Sequence, residues 1–129
     1  MDSSINEIIE TTVNRTVAKL VVEGLLNDDK MTTFEKTEEL LRNYNKLRQS
    51  EHGSMTRKVI KKINDALESI KNDPYAEAIQ LFYIEGKTRE YVALELNTTP
   101  TTISRNKTRL VNEIKVMLFS DDFIKEIYS

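Results

Sequence analysis

Cysteine is absent from the sequence, which excludes a disulfide framework and any thiolate metal site and leaves nothing that points to an oxidising compartment. Glycine and proline are scarce, at three and two residues, too few for the many tight turns of a β-sandwich or barrel. There is one histidine, His52, in a polar stretch beside a glycine, so a loop residue is the natural reading and a histidine metal site has no partners. No apolar run reaches the roughly 20 residues needed to cross a membrane. The opening residues, Met1-Asp2-Ser3-Ser4-Ile5-Asn6-Glu7, have neither the basic start nor the apolar stretch of a signal peptide. The chain is therefore expected in the cytoplasm.

What is present suits a helical protein. The 129 residues, of which 39% are hydrophobic and 31% charged, can form one domain, or one domain with a helical extension. A net charge of -2 argues against coating nucleic acid by bulk charge. The distribution is uneven, however. Residues 1–51 carry seven basic and ten acidic side chains, and residues 86–116 carry six basic and three acidic.

Apolar spacing predicts a series of helices. Ile5, Ile8, Ile9, Val13, Val17, Leu20, Val21 and Leu25 recur mostly at three and four, an amphipathic helix from Asp2 to about Asn27 with Ser4 and Glu7 as its capping box. Thr32 and Glu35 form a second such pair, before a stripe of Phe34, Leu40, Leu41, Tyr44 and Leu47. The polar stretch from Gln49 to Ser54 reads as a linker. It separates an N-terminal helical region, 1–50, from a second part, 55–129. A helix from about Met55 to Lys71 follows, with Val59, Ile60, Ile63, Leu67 and Ile70 inward, and Asp73-Pro74 supplies the next start signal, a cap followed by proline at the first helical position.

Residues 74–118 read as three helices with short joints. The first carries Tyr75, Ala78, Ile79 and Phe82, with Leu81 beside them, and stops at Glu85-Gly86-Lys87, where glycine permits a left-handed cap. Thr88 caps the second, whose apolar residues are Tyr91, Val92, Leu94 and Leu96, with the small Ala93 among them. After Asn97-Thr98-Thr99, Pro100 restarts the chain. Two helices joined by three or four residues, the second free to enter a groove, is the spacing of a helix-turn-helix.

Projected at about 100° per residue, the last helix places Ile103, Leu110, Ile114 and Met117 on one side. The other side carries Thr101, Ser104, Arg105, Thr108 and Asn112, with Thr102 and Arg109 flanking. Arginine binds guanine bidentately, hydroxyls serve base or phosphate, and a threonine methyl meets thymine. The candidate DNA-contacting residues are thus Thr99, Thr101, Thr102, Ser104, Arg105, Thr108, Arg109 and Asn112, with Lys87 and Arg89 ahead of the preceding helix. Lys107 falls near the inward side, where its stem can pack while its ammonium escapes.

The stretches Leu81-Phe82-Tyr83-Ile84-Glu85-Gly86-Lys87-Thr88-Arg89-Glu90, Val92-Ala93-Leu94-Glu95-Leu96 and Thr102-Ile103-Ser104-Arg105-Asn106-Lys107-Thr108-Arg109-Leu110 resemble the ArpU-type phage transcriptional regulators. The resemblance covers about residues 55–122, and Leu41-Arg42-Asn43-Tyr44-Asn45-Lys46-Leu47 is similar to part of that family's N-terminal region. It implies an all-α fold like region 4 of bacterial sigma factors and a role in controlling phage or prophage genes, often late ones. It departs from many sigma-like recognition helices in starting with Pro100-Thr101-Thr102 rather than with charged residues.

Other signals read more plainly. Arg57, Lys58, Lys61 and Lys62 form a basic cluster that suits phosphate or, more simply, a solvated helix face. The pairs Asp28-Asp29 and Asp121-Asp122 fall at helix boundaries, where capping accounts for them. No phosphate-binding glycine loop and no nucleophile with a matching base is present, so no enzyme, cofactor or metal is expected. Double-stranded DNA is the expected partner, with RNA polymerase and a second copy of the chain as further ones. The stripe of residues 5–25, or Phe119, Phe123, Ile124, Ile127 and Tyr128, would form the homodimer contact. The alternative is a helical protein-interaction module in which the helix-turn-helix shape is only architectural.

Overall fold

The computed structural model describes residues 22–49 and 53–128, and every regular element among them is a helix. Residues 22–27 are helical, and the carboxylate of Asp28 then turns the chain by accepting from the backbone N–H groups of Lys30 at 2.7 Å and Met31 at 3.1 Å. Helix α1 spans Thr33–Arg42 behind the Thr32–Glu35 capping box that the spacing predicts. Most of the expected first helix, with its Ser4–Glu7 box and its apolar stripe from Ile5 to Val21, lies outside the described residues, as does His52.

The second predicted helix is divided. Asn43 ends α1 by donating both its backbone N–H, at 3.0 Å, and its side-chain Nδ2, at 2.7 Å, to the carbonyl of Glu39. The chain restarts as α2, Tyr44–Arg48. A side-chain amide competing with the backbone ladder in this way interrupts a helix that apolar periodicity alone would continue. Helix α3 runs Ser54–Ser69 from a Gly53 cap and buries Thr56, Val59, Ile60, Ile63 and Ala66.

A second departure follows α3. Helix α4, Ala76–Ile79, begins two residues after Pro74, because the chain first passes through tight turns in which Ala76 N–H donates to Asp73 O and Ala78 N–H to Tyr75 O. The Asp73 carboxylate accepts from Tyr75 N–H at 2.9 Å within that turn. Helix α4 then widens into a π-helical turn, Gln80–Ile84, where the Glu85 N–H reaches back to Gln80 O at 3.0 Å. Gly86, at φ +70°, takes the left-handed conformation expected of it.

Helix α5, Arg89–Glu95, is capped by the Thr88 side chain, which accepts from Tyr91 N–H. Asn97, at φ 55°, is the described non-glycine residue in the left-handed region, a role its short polar side chain suits. Helix α6, Pro100–Leu118, starts with Thr99 as cap and proline in its first turn. Helix α7, Asp121–Ile127, starts with Ser120 accepting from Phe123 N–H.

Two apolar cores result, and α6 fills both. The larger joins Val22, Leu40, Leu41 and Leu47 to Val59, Ile60 and Ile63, and to Leu110, Val111, Ile114 and Leu118 of α6. It draws on both sides of the expected linker. The smaller joins Ala78, Leu81, Val92, Ala93 and Ile103, seating α4 and α5 against the first turns of α6. Phe123 and Ile127 of α7 are buried in the larger core, so neither is free for the second copy of the chain that sequence reading offered them. On and just after α5, Val92 is buried and Leu96 half-buried, but the apolar Leu94 is 82% exposed. The helix packs on the side that carries Val92 and Ala93, against Ala78, Leu81 and Ile103, and leaves Leu94 outward.

Ile114 is fully buried and Val116 is 68% exposed on the same helix. Truncating Ile114 to alanine is expected to lower stability by about 2–5 kcal/mol, through lost burial and an unfilled cavity. Val116→Ala is expected to shift it by no more than about 0.5 kcal/mol. Urea denaturation followed by circular dichroism checks both.

Candidate nucleic-acid interface

The sequence-predicted residues converge on the start of α6 and the approach to α5, but the structure gives them unequal freedom. Thr101, Arg105 and Thr108 are exposed on α6, while Thr102, Ser104 and Asn112 are half-buried. Arg105 makes no hydrogen bond or ion pair with the described residues, so its guanidinium stands in solvent between the two threonines. Thr101, Arg105, Thr108 and Asn112 follow one another at four, three and four residues on one helix, which puts them on one side.

Thr99 and Thr102 are mostly occupied by the helix start. Thr99 Oγ1 accepts from the Thr102 backbone N–H at 3.2 Å, and the two hydroxyls lie 3.0 Å apart in a hydrogen bond of their own. Asn112 Nδ2 donates to the Thr108 carbonyl at 3.0 Å. Arg89, exposed at the first position of α5, donates to Ser104 Oγ at 3.2 Å, tying the start of α5 to the first turns of α6. It also lies 3.5 Å from the Glu90 carboxylate. Lys87 is exposed in the loop before α5, with its ammonium 5.1 Å from the Tyr91 ring centre.

Arg109 departs most from expectation. Its Nη1 donates to Asp73 Oδ2 at 2.8 Å and its Nη2 to Asp73 Oδ1 at 3.0 Å. Nε and Nη2 also donate to Asn106 Oδ1, at 3.3 and 3.1 Å, and Glu113 stands 3.9 Å away. A guanidinium fork meeting a carboxylate through two parallel bonds is the strongest geometry such a pair can adopt. The hydrogen bonds from Arg109, then that from Tyr75 N–H, hold the Asp73 carboxyl below its ordinary value, and Asp73 in turn raises Arg109. As placed, Arg109 is not a free cation for DNA. Asp73 and Asn106 are the site residues that sequence reading missed. Asn106 was visible at helical spacing from Arg109, but Asp73 lies 36 residues away and had been accounted for as a cap.

Lys107 keeps its stem on the inward side, and its ammonium sits 3.8 Å from the centre of the Phe82 ring and 5.6 Å from that of Tyr83. The ring faces replace solvent around the charge. Burial lowers the Lys107 pKa, Glu38 opposes that shift, and the cations Arg42 and Arg89 add to it. The neighbouring Tyr83 donates its hydroxyl to Glu38 Oε2 at 2.7 Å, and burial followed by that carboxylate holds the phenol protonated far above its usual range. Through Tyr83, Glu38 and Arg42, which pairs with Glu38 at 3.5 Å, the π-helical turn is fastened to α1.

Three of the four basic residues of the cluster on α3 meet local partners. Lys58 donates to the Glu126 carbonyl at 2.9 Å, Lys61 pairs with Asp65 at 3.3 Å, and Lys62 lies 5.1 Å from the Phe123 ring centre. Among the described residues no group of three or more histidine, aspartate or glutamate side chains is placed to hold a metal ion. No described helix is long and apolar enough to cross a membrane.

Asp73→Asn keeps an acceptor for Tyr75 N–H and removes the charge that faces Arg109. Because the Asp73 pKa is depressed on folding, the pair stabilises the folded state above the ordinary carboxyl value of 3.8, and that contribution is lost as pH falls through the lowered value. With Arg109 43% and Asp73 20% exposed, solvent screening limits it to about 0–1 kcal/mol. The wild type is expected to exceed Asp73→Asn in stability by that amount near neutral pH and to converge with it in strong acid, as checked by urea denaturation across the acid range.

No protein-family model matches the chain, and comparison with curated proteins and with solved structures gives no significant match.

Proposed function

We propose that this chain is a sequence-specific DNA-binding transcriptional regulator that reads the major groove with the exposed side of α6, in the manner of a helix-turn-helix. The observation that carries the reading is the exposed Arg105, unpaired among the described residues and flanked on its own side of the helix by the exposed hydroxyls of Thr101 and Thr108. This group of side chains has no acidic member. Arginine offers paired donors to guanine O6 and N7, and threonine offers a hydroxyl and a methyl. Lys87 and Arg89 ahead of α5 suit phosphate, which fixes register without reading sequence. The four-residue connection, 96–99, and the cap at Thr99 agree with the short turn such motifs need. The resemblance to ArpU-type regulators in residues 81–110 supports a sigma region 4-like arrangement and a target among phage or prophage genes. RNA polymerase and a second copy of the chain are the further partners that fit this role, which would be carried out in the cytoplasm without a catalytic step.

A helical protein-interaction module is the competing reading, and the strongly exposed Leu94 and Val116 favour it. Salt separates the two. A protein held on DNA through several phosphates loses affinity steeply as salt rises, whereas an apolar protein interface responds little.

In fluorescence anisotropy with the duplex that the wild-type protein selects from a random library, Arg105→Ala is expected to weaken binding by about 1–3 kcal/mol if the side chain reads a base. Binding that is unchanged by Arg105→Ala removes that residue from the reading set. Failure of the wild type to enrich any duplex, or to respond to salt, overturns the DNA-binding reading.

A further inference from the structure

Resting on the DNA-binding reading, the geometry assigns a second role on this face, and we propose that Asp73 is a specificity-determining residue that masks Arg109 from DNA phosphate. The carboxylate comes from the turn ahead of α4, is held there by Tyr75 N–H, and closes both of its oxygens onto the Arg109 guanidinium. Asn106 and Glu113 of α6 approach the same guanidinium. A cation placed on the recognition helix is therefore held, oriented and largely neutralised by groups of the protein itself. Arg105, one turn earlier, has none of these partners.

Carboxylate and phosphate both present paired oxygens to a guanidinium fork, so they compete for the same donors. The competition bears unequally on different duplexes. A non-specific duplex has no fixed register, so it can shift until any available cation meets a phosphate, and a masked Arg109 denies it one such contact. In a correctly seated site the base contacts of Arg105 and the neighbouring threonines fix the register, so the duplex cannot shift to bring a phosphate onto Arg109 and gains little from its release. The exposed position of the pair matters too, because exposed ion pairs are weak enough for a well-placed phosphate to displace. Asp73 thus suppresses binding to the wrong sequence more than binding to the right one.

The test is a double-mutant cycle of Asp73→Asn and Arg109→Ala, read by anisotropy titrations across a salt series on two probes: a duplex of mixed sequence, and the duplex that the wild type selects from a random library. Asp73→Asn is expected to tighten binding to the mixed duplex by about 3–10-fold at low salt. The salt dependence should steepen by about one phosphate contact, a change of about 0.9 in the logarithmic slope. Affinity for the selected duplex should change by less than about 2-fold, so the ratio between the probes falls, and the gain on the mixed duplex should vanish in the Arg109→Ala background. If Asp73→Asn does not fold, Asp73→Ser, whose hydroxyl also accepts from Tyr75 N–H, gives the same reading. A gain that survives Arg109→Ala is an effect of net charge and overturns the proposal, as does an equal gain on both probes or no gain at all. Wild-type protein that binds neither duplex overturns the DNA-binding reading itself, whereas wild-type binding with an unresponsive Asp73→Asn overturns only the role given to Asp73.

Discussion

Burial of Ile103, Leu110, Val111, Ile114 and Leu118 along one side of α6 is the constraint to which the rest of the molecule answers. Ile103 belongs to the small core under α4 and α5, and the other four belong to the large core under α1, α2, α3 and α7. A helix of 19 residues is about 28 Å long at 1.5 Å per residue, enough to serve both cores in series. Its rotation about its own axis is fixed at both ends by apolar contacts that a turn of a few tens of degrees would break. That fixed rotation keeps Thr101, Arg105 and Thr108 on the solvent side. The surface on which the proposed function depends is thus set by side chains that never reach it.

Polar contacts refine this placement. Lys107 sits on the ring of Phe82 at 3.8 Å, beside the Tyr83–Glu38 bond, and so places a charge where the helix would otherwise show only apolar surface. Such a group is tolerated only where aromatic faces and the nearby Glu38 carboxylate offset its lost hydration. It therefore disfavours other rotations of α6 as well as supporting this one. Arg89 and Ser104 join α5 to α6 near their N-terminal ends, and Arg109 with Asp73 joins α6 to the turn ahead of α4.

What was legible in the sequence was local. The capping box at Thr32 and Glu35, the caps at Thr88 and Thr99, the proline restart and the glycine at 86 depend on residues within a few positions of one another, and each stands where its spacing places it. The inward side of α6 was legible for the same reason, since helical periodicity is a property of neighbours. The exposed triad of Thr101, Arg105 and Thr108 follows from that periodicity. The rest required distant partners. Arg109 looked like its helical neighbour Arg105 until Asp73, far away in sequence, closed on it. The break at Asn43 depends on whether an asparagine amide turns back to its own backbone, which composition does not decide. Leu94 is apolar, but α5 packs on the side of Val92 and Ala93 and leaves it in solvent.

The π-helical turn at Gln80–Ile84 has a consequence for how the two cores stay separate. Residues two apart on such a turn face nearly opposite ways, as they do on an ordinary α-helix, where they differ by about 200° around the axis. Leu81 therefore enters the small core and Tyr83 the large one, the two cores that α6 meets in series. One short segment is thereby pinned in both cores at once. Length at this point is constrained: without Phe82 the two side chains would be adjacent and only about 100° apart around the axis, too little for each to reach its own core.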